Sequence, residues 1–185
     1  MGNITGLYFN IVKNQFAKSA GEAEVLTLCR EIGIPDAVDD NVLYSVVDYN
    51  ILMEEGLRRF KSGQTIEQGL YKLGEDVFHG FTKTTIGRVA MHLSTTDPKR
   101  LAARTPRHYE CFVDWGEVTF EDTGEKTYEL RFKNFQTSPH YDHGIIAAGT
   151  EAAVQAYKID FVIHRFETPN PGVIDADFDF HFELL

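Results

Sequence analysis

The run His140-Tyr141-Asp142-His143 places two imidazoles and a carboxylate within four residues, the ligand types that a borderline cation such as zinc prefers. On a helix, His140 and His143 would share a face. The chain specifies no distant partner for this cluster, and Ser138-Pro139 just before it reads as the opening of a helix. Its ordinary reading is therefore polar residues at a helix entry. His108 and Cys111 make a second pair with the same weakness. Covalent chemistry has less to draw on. No Gly-x-Ser-x-Gly elbow occurs, neither cysteine has a histidine at a telling spacing, and phosphate-loop and dinucleotide glycine patterns are missing. No catalytic residue can be named, and the reading leans away from an enzyme.

The aromatic residues suggest binding instead. With 14 Phe and 8 Tyr, the chain holds more rings than one small sheet needs. Phe78, Phe81, Tyr109, Phe112, Trp115, Phe132 and Tyr141 are suited to lining an apolar pocket with polar tips. Arg88, Arg107 and Arg131 are available to an acidic ligand. The same residue types also build cores and dimer interfaces, and both alternatives stay open.

These residues must be held by recognisable elements. From Ala176 to Leu184 polar and apolar residues alternate, which puts Phe178, Phe180, Phe182 and Leu184 on one face of a strand and the acidic residues on the other. Val118 and Phe120, then Tyr128, Leu130 and Phe132, alternate likewise around the turn signal Asp122-Thr123-Gly124-Glu125. Ile159, Phe161 and Ile163 do so before Pro169-Asn170-Pro171-Gly172. Between the hairpins, Ile145, Ala148, Gly149, Ala152, Ala153 and Ala156 form a small-residue helical stripe able to lie close on a sheet. The expected fold is α+β: a helical N-terminal half packed on a four-stranded antiparallel sheet of ββαββ order, with the C-terminal strand a candidate edge.

The first half carries helix signals. Val25, Leu28, Cys29 and Ile32 form a stripe that stops at Gly33 and Pro35, leaving 35–41 as a loop. Ser45 with Asp48, and more cleanly Thr65 with Gln68, read as capping boxes. The segment from Thr65 to Leu93 is one helix or two, since Gly69, Gly74, Gly80 and Gly87 weaken it and suggest close packing or a ligand. Asp97-Pro98 caps a short helix expected to end near Arg104.

A chain of 185 residues with 43% hydrophobic content fits one domain over 1–185, a helical part at 1–107 and the ββαββ part at 108–185. The net charge of -10 disfavours nucleic acid and anionic membranes as partners. No stretch is long and apolar enough to span a bilayer, and the start shows neither a signal-peptide nor a myristoylation pattern, so the cytoplasm is the expected location. Cys29 and Cys111 read as reduced core thiols.

Gly6-Leu7-Tyr8-Phe9-Asn10, the stretch from Gly80-Phe81 through Gly87-Arg88, Pro106-Arg107, Trp115-Gly116-Glu117 and Pro139 through Gly144-Ile145 resemble an uncharacterised family expanded in myxobacteria. That family in turn resembles the superfamily of heme-nitric-oxide-binding sensors, 4-vinyl-reductase-type domains and transport-particle subunits. The resemblance implies a pocket between helices and sheet for heme, another small molecule or a lipid-like group, or a subunit with no ligand. For heme it implies an axial histidine, with His79 and His92 the candidates by position, and a Tyr-x-Ser-x-Arg grip on the propionates whose spacing is absent here. The resulting expectation is a non-enzymatic regulatory domain that binds a small apolar or amphipathic molecule. A ligand-free homodimerising module is the alternative, and a heme-based gas sensor a weaker one. The cofactor, if any, is left unnamed.

Overall fold

Residues 2–61, 63–93, 97–153 and 156–185 are described by a computed structural model, with the side chains of His92 and Leu93 outside that description. Strand β1 (Asn3–Thr5) leads into α1 (Gly6–Ala20) and α2 (Glu22–Glu31). Strand β2 (Leu43–Ser45) pairs antiparallel with β1 and opens α3 (Val46–Phe60). Helices α4 (Ile66–Phe81), α5 (Thr85–Leu93) and α6 (Pro98–Phe112) complete the helical part. The hairpin β3 (Glu117–Asp122) and β4 (Thr127–Phe135), helix α7 (Pro139–Ala153) and the hairpin β5 (Tyr157–Asn170) and β6 (Val173–Leu184) follow. The expected α+β class and ββαββ order are both present.

Local chemistry accounts for several boundaries. Thr65 and Gln68 form both bonds of a capping box at the start of α4. Asp97 accepts the backbone N–H of Lys99 and Arg100 at the start of α6. Gly33, at φ +81, follows the end of α2 in a backbone region few other residues adopt. The 65–93 segment resolves into two helices. Two boundaries depart from expectation. Ser45 makes no side-chain cap, its backbone being engaged in β2. Helix α6 does not stop near Arg104 but continues through Pro106 to Phe112. An internal proline costs a helix about 3 kcal/mol. Burial of Phe112, and the packing of His108 and Tyr109 on neighbouring rings, offset it.

The sheet runs β3-β4-β6-β5, so the C-terminal strand is central, which corrects its expected place at an edge. Its inner face carries Phe178, Phe180 and Phe182, all buried. Rings stack across strands: Tyr128 on Phe182 at 4.4 Å, Phe132 on Phe178 at 4.7 Å and Phe161 on Phe180 at 5.0 Å. On the outer face, Asp175 and Asp177 bind Arg165 and Asp179 binds His164, all on the neighbouring β5.

Helix α7 lies between two cores. Tyr141 joins the helical core with Phe9, Phe16 and Tyr49, and Ile146 joins the sheet core. Its glycine serves α4 more than the sheet. A Cβ on Gly144 would lie 1.9 Å from the Tyr71 carbonyl oxygen, and one on Gly74 2.1 Å from that of Tyr141. The two backbones touch because neither carries a side chain there. Cys29 is buried in the helical core, whereas Cys111 is exposed, contrary to the reading of both as core thiols. No helix among the described residues is long and apolar enough to cross a membrane.

Candidate functional site

Helices α4, α5, α6 and α7 do not close fully over the inner face of β4 and β6, and a cavity of about 650 Å³ lies between them. This volume falls within the ~300–1,000 Å³ of small-molecule sites. Its floor is Tyr128, Leu130 and Phe182 of the sheet, and Val77, Phe78, Ile145 and Gly149 form one wall. Helix α6 forms the opposite wall with Leu101, Ala102, Thr105, His108, Tyr109 and Phe112. Helix α5 covers the space without sealing it: Ile86 and Val89 line the cavity and are still 51% and 55% exposed. Arg104, Arg107 and Cys111, also exposed, line it along α6.

A small recess of about 40 Å³ adjoins the inner end, sharing Tyr8, His108, Tyr109, Phe112 and Ile145 with the main cavity. It has room for one water-sized group. Asp142, 1% exposed, lines it and accepts hydrogen bonds from Tyr109 Oη at 2.9 Å and Thr137 Oγ1 at 2.6 Å. Burial pushes its carboxyl up to about 7 despite both bonds, which act the other way. His108 Nε2 lies 3.2 Å from Tyr8 Oη, among the rings of Phe81, Tyr109 and Phe112. The apolar surroundings depress its imidazole to about 4, keeping it neutral. Tyr49 and Tyr141 share a hydroxyl hydrogen bond at 2.6 Å nearby. Each of these polar tips has a hydrogen-bond partner inside the protein, whereas Trp115 Nε1, on the same recess, has none among the described residues.

Of the residues singled out from sequence, Phe78, Phe81, Tyr109 and Phe112 line the main cavity, and Tyr109, Phe112, Trp115 and Tyr141 line the recess. Phe132 is fully buried in the sheet core, and Arg88 is exposed on α5, outside the lining. Arg107 lines the cavity; Arg131 is on the outer sheet face, paired with Glu121 and Glu129. His140 and His143 both pack on Phe161. No group of three His, Cys, Asp or Glu able to hold a metal occurs among the described residues. His79 is exposed and outside the lining, and the His92 side chain lies outside the described residues. Sequence reasoning passed over Tyr8 and treated His108 and Asp142 only as metal candidates. The signal for the α6 wall was present as Leu101, Thr105, His108 and Phe112 at three- and four-residue steps, hidden by Pro106.

The fold is that of the H-NOX domains. An H-NOX protein from S. oneidensis in the Fe(II)NO ligation state matches with a TM-score of 0.71 at 14% identity, covering 98% of this chain and 99% of its own. A variant H-NOX from T. tengcongensis matches at 0.69 and 7% identity, covering 98% and 97%. An oxygen-binding H-NOX domain related to soluble guanylate cyclases matches at 0.67 and 9% identity, covering 97% and 95%. No curated protein matches in sequence. The model of a family described as "Protein of unknown function (DUF2378)" matches residues 2–165, and the chain belongs to that family.

Proposed function

We propose that this protein is a non-enzymatic sensory domain of the cytoplasm that holds a small apolar or amphipathic molecule between α4, α5, α6, α7 and the inner face of the sheet. The cavity of about 650 Å³, lined mainly by apolar groups, carries the reading. A ligand seated there contacts α5 directly, so occupancy biases the position of that helix, and the change is read at its exposed outer side.

The H-NOX domains of the same fold raise heme as the occupant, and the described residues of the cavity lining do not fit it. Among the described residues His108 is the one histidine of the cavity lining, and its Nε2, the nitrogen an axial ligand would offer, faces the Tyr8 hydroxyl. Strand β4 turns Tyr128, Leu130 and Phe132 inward and Arg131 outward, so a grip on propionates would fall to Arg104 and Arg107 of α6 alone among the described lining residues. An organic molecule with no iron to ligate fits these walls better.

Native mass spectrometry of freshly purified protein, repeated after denaturation, tests the proposal. A mass excess that disappears on denaturation is expected, and its value identifies the molecule. Bare chain mass in every preparation, with no uptake of apolar probes, would overturn it. A second reading, self-association, is favoured by the long edge strand β5, where Val162, Ile163 and Phe166 are exposed. Sedimentation equilibrium distinguishes the two: a ligand-free dimer supports the module, and a monomer removes it.

A further inference from the structure

We propose that the occupant is a single-chain amphipathic anion, a free long-chain carboxylate, lying with its chain in the cavity and its head at Arg104 and Arg107 on the open side. This deepens the ligand-binding reading and rests on it. Three observations point the same way.

The first is charge. Helix α6 carries Lys99, Arg100, Arg104 and Arg107, four of the 18 Lys and Arg of the chain, against the single carboxylate of Glu110. The protein as a whole is at -10, so this helix is a local reversal of sign. Lys99 is committed to Asp122 and the Gly124 carbonyl, and Arg100 pairs with Asp97. Arg104 and Arg107 are the two that line the cavity, and both are exposed. Among the described residues Arg107 has no ion-pair partner.

The second is the direction of polarity. The inner end of the space is unsuited to an anionic head: Asp142 is itself a buried carboxyl there, its two donors, Tyr109 and Thr137, are already used, and the recess that the unpartnered Trp115 Nε1 lines has room for one water-sized group, too little for a carboxylate. The Tyr8 hydroxyl is likewise engaged with His108. The mouth is different: apolar Ile86 and Val89 of α5 stand half-exposed on the same cavity that the two α6 guanidiniums line. An apolar lining with cations at an open side matches a molecule with an apolar tail and a charged, solvated head.

The third is size. At roughly 30 Å³ per heavy atom, the liquid volume of one water, the 650 Å³ cavity accommodates about twenty such atoms. That is room for one alkyl chain with its carboxylate.

The test is displacement of a neutral fluorescent apolar probe, Nile red, from the protein by decanoate and by decan-1-ol, both below their aggregation limits. The chain length is the same and only the charge of the head differs. A preference of about tenfold for decanoate is expected from two exposed ion pairs, decreasing with added salt. It should disappear in the Arg104→Gln/Arg107→Gln double variant, while Nile red and decan-1-ol still bind and so report an intact fold. Equal affinity for the two ligands in the wild type would overturn the anion assignment and leave the apolar-ligand reading standing. A preference that survives the double variant would overturn the role of these arginines. Failure of Nile red, decanoate and decan-1-ol alike would overturn the underlying reading.

Discussion

Replacing Asp142 by asparagine is expected to change how stability depends on pH more than it changes stability itself. The carboxyl is 1% exposed, and burial raises it from an ordinary 3.8 to about 7. Between these values the native state keeps a proton that the unfolded chain releases. The group's contribution to stability is therefore complete below about 3.8 and is lost as pH rises through about 7. At 1.36 kcal/mol per pKa unit, a shift of roughly three units amounts to about 4 kcal/mol. His108 opposes it. Its imidazole is lowered from 6.5 to about 4, so its contribution is complete above 6.5 and is lost as pH falls toward 4. Over the shared window the two slopes nearly cancel in the wild type. Asp142→Asn leaves no charge at this position at any of these pH values, so it should uncover the His108 slope, a rise of about 1.4 kcal/mol per pH unit from 4 to 6.5. Any mismatch of the amide with Tyr109 and Thr137 displaces the whole curve without tilting it. Urea unfolding followed by Trp115 fluorescence, at closely spaced pH values, measures the difference between variant and wild type. That difference should swing by about 4 kcal/mol in the variant's favour between pH 4 and pH 8. A difference that stays flat with pH would refute the account of a buried, high-pKa carboxyl.

Four further outcomes follow from the same structure. Gly144→Val brings a branched side chain onto the Tyr71 carbonyl and should cost at least about 3 kcal/mol in urea unfolding by separating α7 from α4; an unchanged midpoint would mean that the helices are not in backbone contact. Phe180→Ala empties a fully buried ring position in the centre of the sheet and should cost about 3–5 kcal/mol. Ala102→Phe projects a ring into the cavity from α6; it should raise stability by about 1 kcal/mol and weaken Nile red binding at least tenfold, and full retention of binding would place the ligand elsewhere. Protein purified from cells supplied with heme precursor should show no Soret band, and a stoichiometric band would overturn the proposal that the cavity takes an organic molecule with no iron to ligate.

What the sequence determined by itself was whatever depends on near neighbours along the chain. The alternation through Phe178, Phe180 and Phe182 is a period-two pattern that puts three rings on one face in any sheet. Thr65 and Gln68 close their box within a single helical turn, and Gly33 follows the end of α2 through its own φ. These choices need no partner from elsewhere, and the α+β class with its ββαββ order follows from them. Tertiary structure decided the questions in which distant residues compete. The small-residue stripe of α7 suits a sheet or a helix equally, and the facing glycine on α4 made it a helix contact. Phe81 and Phe132 are the same residue type, yet one lines the cavity and the other is sealed in the sheet core, because only the space left beneath α5 distinguishes a pocket from a core. Asp142 read as a metal candidate beside two histidines, and became a buried acid once Tyr109, 33 residues earlier, and Thr137 donated to it. Pro106 argued locally for a helix end, and the burial of Phe112 carried α6 past it. In each case the free energy of packing between elements outweighed the local preference, and no window of sequence contains both sides of that balance.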